Sequence, residues 1–290
     1  MQRNHRFVTW AGAILGMFVA MALNAALAHA SDNDEGTVSE EFHQTYPLTA
    51  SGRVELENIN GPVHIAVWDQ NQLKLDAVKR AHNQEQLKDA EIRVDSHADS
   101  ISIQTKYRER DKEYRYFDGR NNPASVEYTL TVPRNARLDE IKLINGHLDV
   151  TGVTGEVRAS CINGKLTARG LANQVKLSTI NGPLDAVFDR VPSNTIELSS
   201  VNGPVQLTLP SDSKATIEAT TVHGGIENDF GLHSNDHQFV GHNLRGELGG
   251  GGARIRVNNV NGTIDVRHAT DGHALSPAKD LGKENQEDDI

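Results

Sequence analysis

The 290-residue chain reads as an all-β protein, a right-handed β-solenoid stacked from repeats of 18–21 residues with one irregular inserted segment. Three observations carry that reading. An Asn-Gly pair recurs at near-constant spacing, the same apolar positions flank its copies, and 25 Gly with only 5% aromatic residues favour short strands joined by tight turns.

The pairs are Asn60-Gly61, Asn145-Gly146, Asn163-Gly164, Asn181-Gly182, Asn202-Gly203 and Asn261-Gly262, with His223-Gly224 in the same place once. Positions six, four and one before the Asn, and three and five after it, are apolar. At Asn181 they are Val175, Leu177, Ile180, Leu184 and Ala186; over all copies only Asp139 and Asn228 break the rule. Alternation on each side is strand spacing, and the set predicts one buried face. Both residues of the pair are expected in left-handed conformations, a tolerance His223 shares. A meander of hairpins is the alternative, because Asn-Gly is also a strong hairpin signal, and a sandwich stays open. Constant period with constant register favours coils that each stack on the previous one. The 38 residues from His223 to Asn261 are about two periods, which leaves room for a degenerate copy near Gly241.

Taken in order, residues 1–30 have the three parts of a secretory signal. Arg3 and Arg6 open it, residues 7–28 carry no charge, and Ala28-His29-Ala30 offers a cleavage site. An uncleaved anchor is the competing reading, and no stretch after Ser31 is apolar for long enough to span a bilayer. Residues 31–45 read as a loose acidic arm, 46–268 as the solenoid domain and 269–290 as a disordered acidic tail. An insertion at about 70–139 interrupts the repeat; within it Asn83, with Gln86 three residues on, caps a short helix over 84–90. Solenoids need such caps against end-to-end growth.

The formal charge of −10 becomes −12 without residues 1–30, because 27 bases then face 39 acids. A phosphate-backbone binder needs the opposite balance, so nucleic acid is excluded as a partner. Cys161 is the sole cysteine, which precludes an intramolecular disulfide and a thiolate zinc site. No cofactor is implied.

The run Gly61-Pro62-Val63-His64-Ile65 leading to Trp68-Asp69, the strand Tyr128-Thr129-Leu130-Thr131-Val132-Pro133, the serial Asn-Gly copies and the segment Leu248-Gly249-Gly250-Gly251-Gly252-Ala253-Arg254-Ile255 together resemble the DUF4097 family over about residues 50–268. The resemblance implies an exported or envelope-facing β-solenoid of adhesin-like type. It implies no activity, substrate or catalytic residue.

Four groups of residues invite a functional reading. Arg108, Arg110, Tyr114, Arg115 and Tyr116 fall in a basic, tyrosine-rich stretch of an acidic chain, the residue types that dominate interface hot spots; the bland reading is a solvated hairpin. His233, His237 and His242 form a weak metal candidate beside Asp229 and Asp236, against the reading of a solvated loop. Gly249 to Gly252 lacks the Lys-Ser/Thr of a phosphate loop and reads as a turn, and Cys161 as one more small residue two places before an Asn. Asp149, Asp185 and Asp265 each lie four residues after their Asn, with Asp189 near, as in a polysaccharide-cleaving β-helix; polar slots of a solvated strand look the same. The leading expectation is an exported, non-enzymatic binder of an envelope protein or glycan, periplasmic or at the cell surface. A glycan lyase or hydrolase is the second, and a structural protein that self-associates through an uncapped end the third.

Overall fold

The structure, a computed structural model, describes residues 37–108, 124–236 and 241–281. Alternating patterns produce β1 (Val38–Pro47), β2 (Arg53–Asn60), β3 (Val63–Trp68) and β4 (Gln72–Ala81). Helix α1 (Gln84–Asp89) follows, its first turn held by the Asn83 side chain accepting from the Gln86 amide. Next come β5 (Ala90–Ser96), β6 (Ser100–Tyr107) and β7 (Ser125–Pro133). The repeats then run as strand pairs: β8 (Arg137–Asn145) with β9 (Leu148–Thr151), β10 (Val157–Asn163) with β11 (Leu166–Leu171), and β12 (Val175–Asn181) with β13 (Leu184–Phe188). They continue as β14 (Ile196–Asn202) with β15 (Val205–Leu209), and β16 (Ala215–His223) with β17 (Ile226–Asn228). After β18 (Ser234–Asp236) and β19 (His242–Leu248) comes the last pair, β20 (Ala253–Asn261) with β21 (Ile264–His268), and then β22 (Ala278–Asp280).

Each pair puts its first strand in a 12-stranded sheet and its second in a 10-stranded sheet, and the Asn-Gly is the corner between them. Within each sheet the coils pair parallel and in register: Val157 and Ala159 lie beside Val175 and Leu177, which lie beside Ile196 and Leu198. The inward side chains of both sheets form one core, from Val54 and Leu56 through Leu177 and Leu184 to Ile255 and Val266. Burial of these branched side chains, at about 1.5–3 kcal/mol each, is what holds a coil to its neighbours.

The coils do not stack in chain order. In the 12-stranded sheet the order is β2, β8, β10, β12, β14, β20, β16, so the coil of Asn261 lies between those of Asn202 and His223. The expectation that each copy stacks on the previous one fails here, and no degenerate copy sits near Gly241. Instead β19 runs antiparallel along β16, from Ala215 beside Leu248 to Thr221 beside His242, and carries the chain back so that β20 can enter. The inserted segment does the same work at the other end. There β6 pairs parallel with β2 and β7 parallel with β3, adding a coil beyond the first, and β5, β4 and β1 close it antiparallel. The expected loose arm is therefore strand β1 from Val38 onward, and the expected tail contributes β22, paired with β19. Edges β1, β5 and β18 are antiparallel strands and the fourth, β17, is a parallel strand of only three residues; β18 is equally short and β5 bears alternating charges such as Glu91, Arg93 and Asp95, which blunts edge pairing.

The corner geometry corrects the expected role of the pair. Only its glycine has positive φ, +148° at Gly164 and +146° at Gly182; no described non-glycine residue does, so Asn and His223 are not there for left-handed tolerance. A β-carbon at Gly164 would overlap the Gly146 carbonyl oxygen. The corner glycines form a column with backbone lying on backbone.

A second correction concerns the residue one before the Asn. It was expected on the buried face, yet Ile59, Ile144, Ile162, Ile180, Val201, Val222 and Val260 are 36–43% exposed. The buried place belongs to the residue two before: Asn58, Leu143, Cys161, Thr179, Ser200, Thr221 and Asn259, each at most 4% exposed. Alternation from positions six and four before the Asn simply continues to position two, so the residue one before the Asn falls on the outward face.

Candidate functional site

The repeat builds three parallel columns on the outside of the molecule, and these are the surfaces that could meet a ligand. The first is the corner asparagine ladder. Asn145 donates through Nδ2 to Oδ1 of Asn60 at 2.9 Å, Asn163 to Asn145 at 2.8 Å, Asn181 to Asn163 at 2.9 Å, Asn202 to Asn181 at 2.9 Å and Asn261 to Asn202 at 2.8 Å. His223 lies beside Asn261 on the final rung. Every amide points the same way, and each retains a second N–H and lone pair for solvent or ligand.

Beneath the ladder the buried polar column ties the corner backbone. Cys161 Sγ donates to the Gly146 carbonyl at 3.3 Å, Thr221 Oγ1 to Gly262 at 3.1 Å, and Asn259 Nδ2 to Gly203 at 2.9 Å. Burial pushes the Cys161 thiol up to about 11, so it is a structural donor and not a nucleophile. At the first coil the column opens into a chain: Tyr128 Oη to Thr105 Oγ1 at 2.8 Å, Thr105 to Asn58 Oδ1 at 2.9 Å, and Asn58 Nδ2 to the Val126 carbonyl at 2.8 Å. The sequence showed these residues at one shared offset from the Asn and read Cys161 there as one more small residue; their burial and their bonds to the corner backbone were not foreseen, because the members differ chemically.

The second exposed column is the Ile/Val ladder beside the asparagines. The third lies on the outward face of the 10-stranded sheet, where register aligns His64, Asp149, Thr167, Asp185, Gln206, Asp265 and Glu227, with Thr167 buried beneath its neighbours. Asp149, Asp185 and Asp265 thus share a face, as the spacing suggested, but a neutral residue separates each from the next. At about 4.8 Å per strand they stand about 10 Å apart along the column. Each has a basic neighbour: Asp185 binds Arg169 at 2.7 Å, Asp265 Arg267 at 3.5 Å, and Asp149 His64 at 3.2 Å. Glycosidic cleavage wants two acids roughly 5–9.5 Å apart with one carboxyl kept protonated; in this column only Asp265 and the exposed Glu227, on adjacent strands, come that close, and Asp265 is paired with Arg267. Asp189 is exposed in the turn after β13.

Arg108 sits where the chain leaves β6, its amide donating to the Asp89 carbonyl, at the end of the asparagine ladder. Tyr107 beside it donates to the Ala124 carbonyl at 2.7 Å, and burial pushes its phenol up to about 12. Arg110, Tyr114, Arg115 and Tyr116 lie outside the described residues, as does His237. His233 is engaged by the chain's own β22, its Nδ1 lying 2.7 Å from Asp280 Oδ2, and His242 is on β19 with Thr221 opposite. A different trio, Asp212, Asp271 and His273, brings ligand atoms within 4.8 Å of one another; all three are exposed, and Asp271 already accepts from the Ser211 amide at 2.9 Å. Hydrogen bonds from Ser211 hold the Asp271 carboxyl well below the usual range.

Open depressions mark the two sides of the capped end. One of about 320 Å³ is lined by Glu40, Phe42, Lys79, Lys88, Glu91 and Ile92, with Lys79 bound to Glu40 at 2.9 Å. Another, of about 180 Å³, lies among Trp68, Asp69, Gln70, Asn71, Arg134 and Asn135.

A stack of parallel β-coils with a corner amide ladder defines a class of repeat protein whose constant part is scaffold. Residues 48–267 match the Toastrack DUF4097 family, and the chain belongs to it. Similar solved structures include a putative cell adhesion protein from Clostridium sporogenes, at 12% identity and a TM-score of 0.46, covering 79% of this chain and 100% of that one. A putative adhesin from Bacteroides fragilis is similar at 11% identity and a TM-score of 0.36, covering 79% and 97%. No curated protein matches the chain. No helix among the described residues is long and apolar enough to cross a membrane.

Proposed function

We propose that the protein is exported by residues 1–30 and acts, without catalysis, as an adhesin-like binder of an extended envelope ligand, a glycan foremost. The observation that supports this reading is the outward column of the 10-stranded sheet, where His64, Asp149, Asp185, Gln206 and Asp265 bring hydrogen-bonding side chains into one row, interrupted by the buried Thr167. A repeating row of polar groups fits a repeating polymer laid along the stack better than a compact small molecule, which wants a concave, mostly apolar pocket. Arg169 and Arg267 offset the charges of Asp185 and Asp265, which lowers the net charge of that face and suits it to uncharged sugars.

The test is a glycan array and an envelope-extract pulldown with the exported protein. It is run beside Asp149→Ala/Gln206→Ala, which alters the column, and beside a variant with Arg108, Arg110, Tyr114, Arg115 and Tyr116 all changed to Ala. A glycan signal lost only in the first variant supports the sheet face. Loss only in the second moves the site to the Arg/Tyr segment. Polysaccharide cleavage that Asp185→Asn abolishes would overturn the non-enzymatic reading.

A further inference from the structure

The Ile/Val ladder asks for an explanation that strand packing does not supply. Apart from Leu275, the exposed large hydrophobic residues of the described chain are the seven members of this one column. Position three before the Asn is also outward on the same strands, yet there the chain carries Glu57, Lys142, Ser160, Ser178 and Ser199. Strand propensity alone would be met at the ladder by Thr. In stack order it runs Ile59, Ile144, Ile162, Ile180, Val201, Val260, Val222, straight over about 29 Å at one rung per strand. Side chains 36–43% exposed leave on the order of 450 Å² of contiguous apolar surface, the scale at which a patch marks an interaction site.

We propose that this ladder is a self-association surface on which a second copy of the chain packs about a two-fold axis through Ile180. A row of branched side chains at strand spacing is matched rung for rung by another such row, and Ile180 is the central rung of seven. Two orientations satisfy a two-fold. With the ladders antiparallel, each charged flanking residue meets a neutral one: Glu57 faces Thr220, Lys142 faces Asn258, and Lys165 faces Pro204. With them parallel, Lys142 faces His147, so the antiparallel pair is favoured. Including the asparagine and Pro183/Pro204 columns as a rim, the pair buries about 1,000–1,500 Å², at the lower end of specific interfaces, and the dimer is reversible. The surface lies on the corner, away from the proposed ligand column, and does not rest on that proposal.

The test uses the purified protein, in sedimentation velocity over a wide concentration range and in thiol cross-linking. Native Cys161 is buried and stays silent, so any cross-link reports an introduced thiol. The wild type is expected to shift to twice the monomer mass as concentration rises. The triple change Ile162→Thr, Ile180→Thr, Val201→Thr, which keeps β-branching, is expected to be monomeric with an unchanged melting temperature. Ile180→Cys is expected to give a covalent dimer on mild oxidation, Ile59→Cys none, and Ile59→Cys combined with Val222→Cys to restore it. A wild type that stays monomeric at every concentration overturns the proposal. So does dimerisation that the triple variant retains, and cross-linking of Ile59→Cys alone overturns the antiparallel arrangement.

Discussion

Asn163 donates from Nδ2 to Oδ1 of Asn145 at 2.8 Å and accepts from Asn181 at 2.9 Å, so one amide joins three coils. The ladder is exposed, and water competes for each bond, which keeps each one to about 1 kcal/mol or less. Asn163→Ala is expected to cost about 1–2 kcal/mol in urea denaturation, with the m-value unchanged. A loss below about 0.3 kcal/mol would make the ladder a passenger of the corner.

Gly164 sits at φ +148° with its missing β-carbon in the place of the Gly146 carbonyl. Gly164→Ala is expected to cost about 3 kcal/mol or more, or to prevent folding. Gly225→Ala, where nothing lies within 4 Å and φ is not positive, serves as the control and should change stability by less than about 1 kcal/mol. Equal effects at the two sites would deny that coil contact is what demands glycine.

In the buried column Thr179 Oγ1 has no partner, whereas Thr221 Oγ1 donates to Gly262. An unpaired buried hydroxyl costs roughly 1–3 kcal/mol, so Thr179→Val should raise stability by about 1 kcal/mol and Thr221→Val should lower it by a similar amount. Thermal melts of both variants decide this, and a loss at Thr179 would count against it.

His43 on β1 has its pKa raised, first by the hydrogen bond to Asp76 on β4 and then by that to Glu41. Because the folded value lies above the ordinary 6.5, the contribution is complete below that value and is lost as pH rises through the folded one. The ring is half-exposed and solvent screening keeps the effect small. Amides of β1 should exchange faster at pH 8 than at pH 6 after correction for intrinsic rates. His43→Gln should flatten that difference, and a difference of opposite sign would refute the linkage.

Much of the architecture was legible because it is local chemistry repeated. Six Asn-Gly copies with a fixed apolar register can only mean strands of the same face returned to the same place, and the helix at Asn83 announced its own cap. The carboxylate column was also readable, since residues four after the Asn share a side of the strand. What misled was the corner. The apolar character of Ile162 suggested the core, but unbroken period-two alternation from Val157 and Ala159 buries Cys161 and turns Ile162 outward; the small or polar residues at the buried place disguised it.

By itself the sequence determined the fold class, the repeat length, the strand faces and the glycine at each corner, because these follow from side-chain spacing and from the one residue lacking a β-carbon. The tertiary structure alone decided which coil lies against which. It put the Asn261 coil between those of Asn202 and His223, joined the amides into a ladder, and turned scattered Ile and Val residues into one exposed ridge. The seven coils carry nearly the same pattern, so any could stack on any other. The order was set by the antiparallel strands at the two ends, whose pairing with β16 and with β3 by way of β7 is long-range and leaves no local mark.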